Sequence, residues 1–194
     1  MIWRAAILAA TLALPATAQD MAGITLDAPL PMHLGAPVGM QTQGALAYRL
    51  WQPGAPLLMS VTTQADTDRV LYIEIWRDGA QGTAPAPLPD MTFGGTTLAD
   101  IRARFGSDGV VFGERGRVAT AGDNAAFFTS YEIADTDGVI SFVTIMPLAG
   151  ASQETAGQSV LDSVILGYSP YLDTLWGLNR GVSDGYQPVP DPLP

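Results

Sequence analysis

The chain has 194 residues, a formal net charge of −10 and no cysteine. A surface this acidic disfavours nucleic-acid binding, because it repels phosphate backbones. The absence of cysteine excludes disulfides and thiolate chemistry, and the absence of lysine excludes a phosphate-loop lysine and a Schiff base.

The N-terminal residues have the pattern of a secretory signal peptide. A short basic region, residues 1–4, precedes an apolar run, residues 5–14, and an Ala-x-Ala sequence that ends at Ala18. This run is too short to cross a bilayer as a helix, and no later run approaches the required length. We therefore expect residues 1–18 to be removed from an exported protein, periplasmic or extracellular, that has no transmembrane segment.

Two segments of the chain resemble each other, residues 65–71 and residues 134–140. Both contain Ala-Asp-Thr-Asp-x-Val, and apolar runs flank both, which predicts a strand, a turn and a strand in each case. The order of neighbouring features is also the same in the two halves, which indicates an internal duplication. Chance similarity between two polar hairpin tips is the alternative.

Residues 19–79 form the predicted first repeat. Its opening apolar residues have helical spacing, but Pro29 and Pro31 interrupt them, so we expect a short or broken helical turn that ends at Gly35. A meander of three strands should follow, at residues 45–51, 57–63 and 70–76. The proline-rich residues 80–93 are expected to be an extended linker.

The predicted second repeat, residues 94–147, opens with the clearest helix, residues 97–105. Leu98, Ile101 and Phe105 share one face of this helix, Thr96 or Thr97 is its expected N-cap, and Gly106 is its expected C-cap. Further strands are expected at residues 109–112, 126–132 and 138–146.

Residues 148–182 are interpreted as a C-terminal helical segment that packs on the core, with a helix at residues 158–166. Residues 183–194 are expected to be an extended, proline-rich tail. The elements together predict an α+β protein in two layers, made of two tandem repeats, each a helix followed by an antiparallel meander.

This order of elements resembles a known fold. It is similar to one repeat of the β-lactamase-inhibitor-protein-like fold. The residues that carry the similarity are Gly95-Thr96-Thr97-Leu98 and Phe105-Gly106, followed by strands with an acidic hairpin tip. The same repeat occurs singly in small lipoproteins of outer-membrane protein assembly. The chain departs from that pattern by lacking a lipidation cysteine and disulfides and by the prolines in its first helix. The resemblance covers residues 23–147 and implies a binding protein that presents a concave sheet to another protein.

Strand alternation predicts a recognition surface. Five side chains should share the sheet face that points away from the helices: Tyr72, Glu74, Trp76, Val143 and Ile145. We interpret this apolar, partly aromatic face as the partner-binding surface. The alternative is that the C-terminal segment covers this face with Tyr168, Tyr171 and Trp176.

The residues that could carry catalysis are few. His33 is the single histidine, and its apolar neighbours favour a packed or surface imidazole over a general base. Glu74 and Glu132 lie on predicted strands, and a pair of carboxylates can hydrolyse a glycosidic bond without histidine. We assign no catalytic residue, although a carboxylate-dependent hydrolase remains an alternative.

The Asp-rich hairpin tips are candidate calcium sites. Each tip offers clustered oxygen ligands, from Asp66 and Asp68 in the first and from Asp135 and Asp137 in the second. Neither pair continues into a twelve-residue loop with a closing glutamate, and aspartate and glycine are ordinary turn residues. We therefore expect no metal and no cofactor.

The sequence favours a non-enzymatic module that binds another envelope or extracellular protein. Two alternatives remain open: a carboxylate-dependent hydrolase that acts on envelope or extracellular polymers, and a structural domain that associates with itself as a homodimer.

Overall fold

The computed structural model describes residues 19–79 and 82–194. The predicted signal peptide, residues 1–18, lies outside the described residues, as do residues 80 and 81 of the predicted linker. Within the described ranges, no helix has both the length and the apolar character needed to span a membrane.

The first half of the chain is built from antiparallel strands. A short hairpin comes first, formed by β1 (Asp20–Met21) and β2 (Ile24–Thr25). A four-stranded meander follows: β3 (Gly39–Gln43), β4 (Leu46–Gly54), β5 (Leu57–Gln64) and β6 (Val70–Arg77). The three strands predicted from the sequence in this half are confirmed, and β3 is an additional strand.

A second short hairpin, β7 (Ala84–Pro85) with β8 (Thr92–Phe93), connects this meander to the helix α1 (Leu98–Phe105). Five strands then follow: β9 (Val110–Phe112), β10 (Val118–Ala121), β11 (Asn124–Glu132), β12 (Gly138–Pro147) and β13 (Val160–Tyr168). The last elements are α2 (Ser169–Trp176) and β14 (Arg180–Val182).

Ten of these strands form one antiparallel sheet. Its order is β14-β9-β11-β12-β13-β6-β5-β4-β3, and β10 pairs with β11 on the same edge as β9. Strand β13 joins the two halves of the chain, because it pairs with β12 on one side and with β6 on the other. The two hairpins with Asp-Thr-Asp tips, β5–β6 and β11–β12, therefore flank one central strand.

The predicted fold class is wrong. The protein is mostly β-sheet: of the residues that the structure describes, 47% lie in strands and 14% in helices, which are two α-helices and three 3-10 turns. The short helical turn expected before Gly35 is present as the 3-10 turn Met32–Leu34, but no full helix opens this half, because Pro29 and Pro31 prevent a continuous one. The chain is therefore not a tandem repeat of a helix and a meander.

The predicted helix at residues 158–166 is also wrong, because this segment is the central strand β13. Leu161, Val164 and Leu166 are buried in the core on one face of the sheet, and Ile165 is buried on the other face. A strand that is covered on both faces is apolar almost throughout, and such a run can also fit helical spacing. The sequence pattern therefore could not separate the two structures.

Helix α1 agrees with its prediction. Thr97 is the N-cap, and it forms a reciprocal capping box with Asp100. Gly106 ends the helix in the left-handed conformation, with φ of 68°. The ends of α1 could be predicted from the sequence because both caps depend only on neighbouring residues.

The sheet has a core on each face. The larger core packs α1, the N-terminal hairpin and β7–β8 against one face, around fully buried residues such as Ile73, Phe93 and Phe142. The smaller core lies on the other face beneath α2, which contributes Leu172 and Trp176. The proline-rich C-terminal residues return to the larger core, where Val189 is buried and forms a parallel bridge with Ile133.

Candidate functional site

The five side chains predicted to bind a partner lie together on one face of the sheet. Strand β13 holds β6 and β12 side by side, and its Ser163 pairs with Trp76 on one edge and with Val143 on the other. Their side chains line a single groove of about 530 Å³. We call this the aromatic groove; its lining residues are Tyr72, Glu74, Trp76, Arg115, Ala121, Ala126, Phe128, Val143, Ile145, Asp162, Ser163, Ile165, Leu175 and Trp176.

Helix α2 covers one end of the aromatic groove. The ring of Tyr72 lies edge-on to Tyr171, with 6.3 Å between the ring centroids, and edge-on to Trp176, with 6.4 Å. Burial raises the pKa of the Tyr72 hydroxyl well above its ordinary value, and the nearby carboxylate of Glu74 raises it further. The C-terminal segment therefore covers the Tyr72 end of this face, and the residues that cover it are Tyr171 and Trp176.

The other end of the groove remains partly open. Trp76 and Ile145 are only half-buried, whereas Val143 in the same groove is 9% exposed. An opening with two large apolar side chains at its rim and an aliphatic floor is suited to an apolar side chain of a ligand. Of the predicted residues, those at the Trp76 end are therefore the ones that a ligand could reach.

Gly167 explains how α2 comes so close to the sheet. This glycine of β13 pairs with Tyr72 and has no side chain of its own. A Cβ atom at this position would lie 2.7 Å from Cδ1 of Leu172 and 2.8 Å from its Cγ. The missing side chain thus provides the space that Leu172 fills, and this contact fixes α2 over one end of the groove.

Glu74 is held in place by two neighbours. The Tyr72 hydroxyl donates to Oε2 of Glu74 at 2.8 Å, and the Ser163 hydroxyl donates to Oε1 at 2.6 Å. Both carboxylate oxygens therefore have donors from the protein itself.

Asp162 reaches the groove through an irregularity in the sheet. The register between β12 and β13 shifts at Val143 and Thr144, which pair with Ser163 and Leu161. Asp162 is the extra residue of this bulge, so it faces the groove together with Ser163. Burial raises the pKa of Asp162, and the negative charge of Glu74 raises it further. Arg77 opposes this shift, because its Nη2 lies 3.8 Å from Oδ1 of Asp162.

Arg115 provides positive charge beside these two carboxylates. Its guanidinium carbon lies 3.4 Å from the centroid of the Phe128 ring, an arrangement that permits a cation–π interaction. Burial lowers the pKa of Arg115, against the opposing effects of Tyr72 and Glu74. Its side chain forms neither an ion pair nor a hydrogen bond with the residues that the structure describes.

Sequence reasoning missed Arg115 and Asp162. The segment around Arg115 reads only as a turn, and the contact with Phe128 depends on tertiary structure. Asp162 was placed within a predicted helix, which hid its position in a sheet. The only available signal was a charged residue within an otherwise apolar run, residues 160–166.

The second candidate catalytic carboxylate, Glu132, lies outside the aromatic groove. Nη1 of Arg180 donates to Oε1 of Glu132 at 2.5 Å, and Nη2 of the same arginine donates to Asp173 at 2.5 Å and to Ser169 at 2.6 Å. This network ties β11, α2 and β14 together. The structure therefore does not bring Glu132 and Glu74 into one groove, and the role visible for Glu132 is structural.

The remaining candidate residues have ordinary environments. His33 is exposed in the 3-10 turn. Asp68 and Asp135 adopt left-handed backbone conformations, with φ of 54° and 60°, and Asp68 pairs with Arg49. In residues 19–79 and 82–194 no three His, Cys, Asp or Glu residues cluster as metal ligands would. The turn geometry accounts for both aspartates, because aspartate tolerates this conformation better than most residues.

The fold and the groove define this chain as a predominantly β-sheet protein with a helix-capped aromatic groove. No protein-family model, curated protein or solved structure matches it. The similarity to the β-lactamase-inhibitor-protein-like fold therefore stays a prediction, and the two-repeat architecture that it implied is not the architecture of this protein.

Proposed function

We propose that this protein is an exported, non-enzymatic module that binds another protein of the cell envelope or extracellular space through the open end of the aromatic groove. The observation that carries this proposal is the convergence of Trp76, Val143, Ile145 and Arg115 on one groove. Among the described residues, Arg115 has neither an ion pair nor a hydrogen bond. An aromatic side chain beside an arginine is typical of surfaces that recognise proteins.

The charges of the groove indicate the chemistry of the partner. Glu74 already accepts two hydrogen bonds, and Asp162 lies beside Arg77. Among the charged residues that line the groove, this leaves Arg115 as the one without an ion pair or hydrogen bond in the described part of the chain. The partner segment should therefore carry a large apolar side chain next to a carboxylate, which would pair with Arg115.

A second candidate function is supported by the position of Asp162. Glu74 and Asp162 line the same groove, and the raised pKa of Asp162 is a property that a general acid requires. A carboxylate-dependent hydrolase of envelope or extracellular polymers would use such a pair. The two hydrogen bonds that hold Glu74 count against this function, because they leave the carboxylate less available as a base or nucleophile.

The two functions differ in the effect of the substitution Glu74→Gln. A binding module with this substitution should still capture its partner, because Glu74 is saturated by Tyr72 and Ser163. A hydrolase should lose its turnover of polymer substrates.

The proposal is tested by affinity capture from envelope extract, with the parent protein, Ile145→Asp and Val38→Asp compared. Ile145 lies in the groove, and Val38 is a 68% exposed apolar residue outside it. We expect the parent and Val38→Asp to capture the same protein and Ile145→Asp to lose it. Equal capture by all three proteins would contradict the proposal, and a dimer of the parent that Ile145→Asp dissociates would favour self-association.

A further inference from the structure

A second cavity lies on the opposite face of the sheet. Side chains alternate along β11, so that Phe128 belongs to the core beneath α2 while Phe127 and Thr129 point to the face that carries α1. The cavity has a volume of about 610 Å³, which is in the range of small-molecule sites. Its lining residues are Arg102, Asp108, Arg117, Val118, Ala125, Phe127, Phe128, Thr129, Leu148, Ala151, Ser152, Gln153 and Ala156.

Most of the cavity wall is apolar. Ala125, Phe127 and Ala156 are buried around it and belong to one hydrophobic cluster. Leu148 is 48% exposed and lies on the segment that follows β12. An apolar ligand in this cavity would bury these side chains further and would be favoured by the hydrophobic effect.

Thr129 is a polar group without a visible partner in this wall. The residue is 1% exposed, and its hydroxyl oxygen has no hydrogen-bond partner among the described residues. An unsatisfied buried hydroxyl destabilises the folded protein, because it has lost its hydrogen bonds to water. A ligand that hydrogen-bonds to Thr129 would remove this cost.

Two arginines supply positive charge at the same cavity. Nε of Arg102 lies 3.0 Å from Oδ1 of Asp108, and Nη1 of Arg117 donates to the backbone oxygen of Asp108 at 2.8 Å. Asp108 is the one carboxylate in the lining, so two cations and one anion leave a net charge of +1. The terminal nitrogens of Arg102 form no hydrogen bond with the described residues and remain available as donors.

We propose that this cavity is a second binding site, which takes a small monocarboxylate with an apolar body, such as a medium-chain fatty acid. The apolar body would contact Phe127 and its aliphatic neighbours, and the carboxylate would accept hydrogen bonds from Arg102 and Arg117. The single excess positive charge matches a monoanion. Of the residues that line this cavity, only Phe128 also lines the aromatic groove, and the residues that would bind the ligand lie outside that groove, so the inference does not depend on the proposed function.

The experiment is isothermal titration calorimetry of the purified protein with octanoate and with 1-octanol as the uncharged probe of equal chain length. Arg102→Gln and Arg117→Gln each remove one cation from the cavity. Arg104→Gln is the matched control, because it lies on the same helix, is exposed and donates to the backbone oxygen of Pro89 instead. The folding of each variant is checked by circular dichroism and thermal unfolding.

We expect octanoate to bind the parent at least tenfold more tightly than 1-octanol, which equals about 1.4 kcal/mol. Arg102→Gln and Arg117→Gln should each weaken octanoate binding by about tenfold and leave 1-octanol unchanged. The control should bind octanoate as the parent does. The proposal is overturned if octanoate does not bind, if both probes bind equally, or if Arg104→Gln weakens binding as much as the cavity variants.

The substitution Thr129→Val tests whether the Thr129 hydroxyl contacts the ligand or has only a structural role. Valine has nearly the same shape and lacks the unpaired hydroxyl, so the ligand-free variant should unfold at a temperature equal to or above that of the parent. Its affinity for octanoate should nevertheless fall several-fold if the hydroxyl contacts the ligand. Unchanged affinity would remove Thr129 from the site, and lower stability with unchanged affinity would show that its hydroxyl has an internal partner.

Discussion

The indole ring of Trp176 lies edge-on to the phenol ring of Tyr72, with 6.4 Å between the ring centroids and an interplanar angle of 83°. Trp176 also packs edge-on against Phe112, at 5.2 Å. This aromatic contact attaches α2 to the sheet and determines how much of the groove stays open.

Truncation of Trp176 should therefore be costly. Trp176 is 7% exposed, so we expect Trp176→Ala to lower the free energy of unfolding by about 3–5 kcal/mol, through lost burial and the cavity that remains. Leu178→Ala is the control, because Leu178 is 79% exposed and should change the stability by less than about 0.5 kcal/mol. Urea denaturation followed by circular dichroism measures both, and similar values for the two variants would show that α2 is not packed as described.

Adding a methyl group at Gly167 should displace α2 from the sheet. The new Cβ atom would lie within 2.8 Å of three atoms of the Leu172 side chain, so the whole side chain would have to move. We expect Gly167→Ala to destabilise the protein by about 1–3 kcal/mol. Adding Leu172→Ala should recover part of this loss in a double-mutant cycle, and purely additive effects would contradict the contact.

Arg180 should contribute more to stability than an arginine in a surface ion pair. Arg180→Gln leaves Glu132 and Asp173 without their shared cation, and both side chains are half-buried, so we expect a loss of about 1–3 kcal/mol. Arg69→Gln is the control, because Arg69 pairs with Asp27 at an exposed position and should leave the stability almost unchanged. Equal effects in urea denaturation would argue against the network.

Asp162 should make the stability depend on pH in a defined direction. Its pKa in the folded protein is raised above the ordinary value of 3.8, so folding favours the protonated form. The contribution of Asp162 to stability is therefore fully present below pH 3.8 and is lost as the pH rises through the folded pKa. We expect Asp162→Asn to lose this dependence and to gain stability relative to the parent as the pH increases.

Thermal unfolding of both proteins over a series of pH values above and below 3.8 measures this difference. A stability difference that does not change with pH, or one that favours the parent at higher pH, would contradict the described environment of Asp162.

The position of β13 predicts the order of hydrogen exchange. Its central amides lie between β6 and β12 and are covered on both faces, whereas β3 is an edge strand with mostly exposed residues. Hydrogen exchange measured by mass spectrometry should therefore be slowest in residues 160–168 and faster in residues 39–43. Rapid exchange in residues 160–168 would contradict the central strand.

Local signals made part of this fold predictable. The Asp-rich tips with flanking apolar runs identified both hairpins, and Thr97 with Gly106 identified the ends of α1. The identity of β13 was not predictable, because Val160, Val164 and Ile165 fit both a helix and a strand buried on two faces. The predicted fold class is wrong for the same reason, because β13 is the strand that joins the two meanders into one sheet.

Part of the candidate site was also predictable from the sequence. Alternation along β6 placed Tyr72, Glu74 and Trp76 on one face, which required only the period of a strand. The burial of Tyr72 beneath α2 and the approach of Arg115 to Phe128 depend on contacts between distant segments, and these have no local signature. The sequence therefore indicated the floor of the groove but not its cover or its charges.

Site-specific photo-crosslinking in envelope extract tests the central claim most directly. A photoreactive amino acid is placed at Ile145 in the open end of the groove, or at Val38 outside it, and the crosslinked proteins are identified by mass spectrometry. We expect the Ile145 probe to crosslink one specific protein through a segment with an apolar residue beside a carboxylate, and Arg115→Gln to reduce the yield of this crosslink. Crosslinks of equal yield and identity from both positions, or none from Ile145, would contradict it.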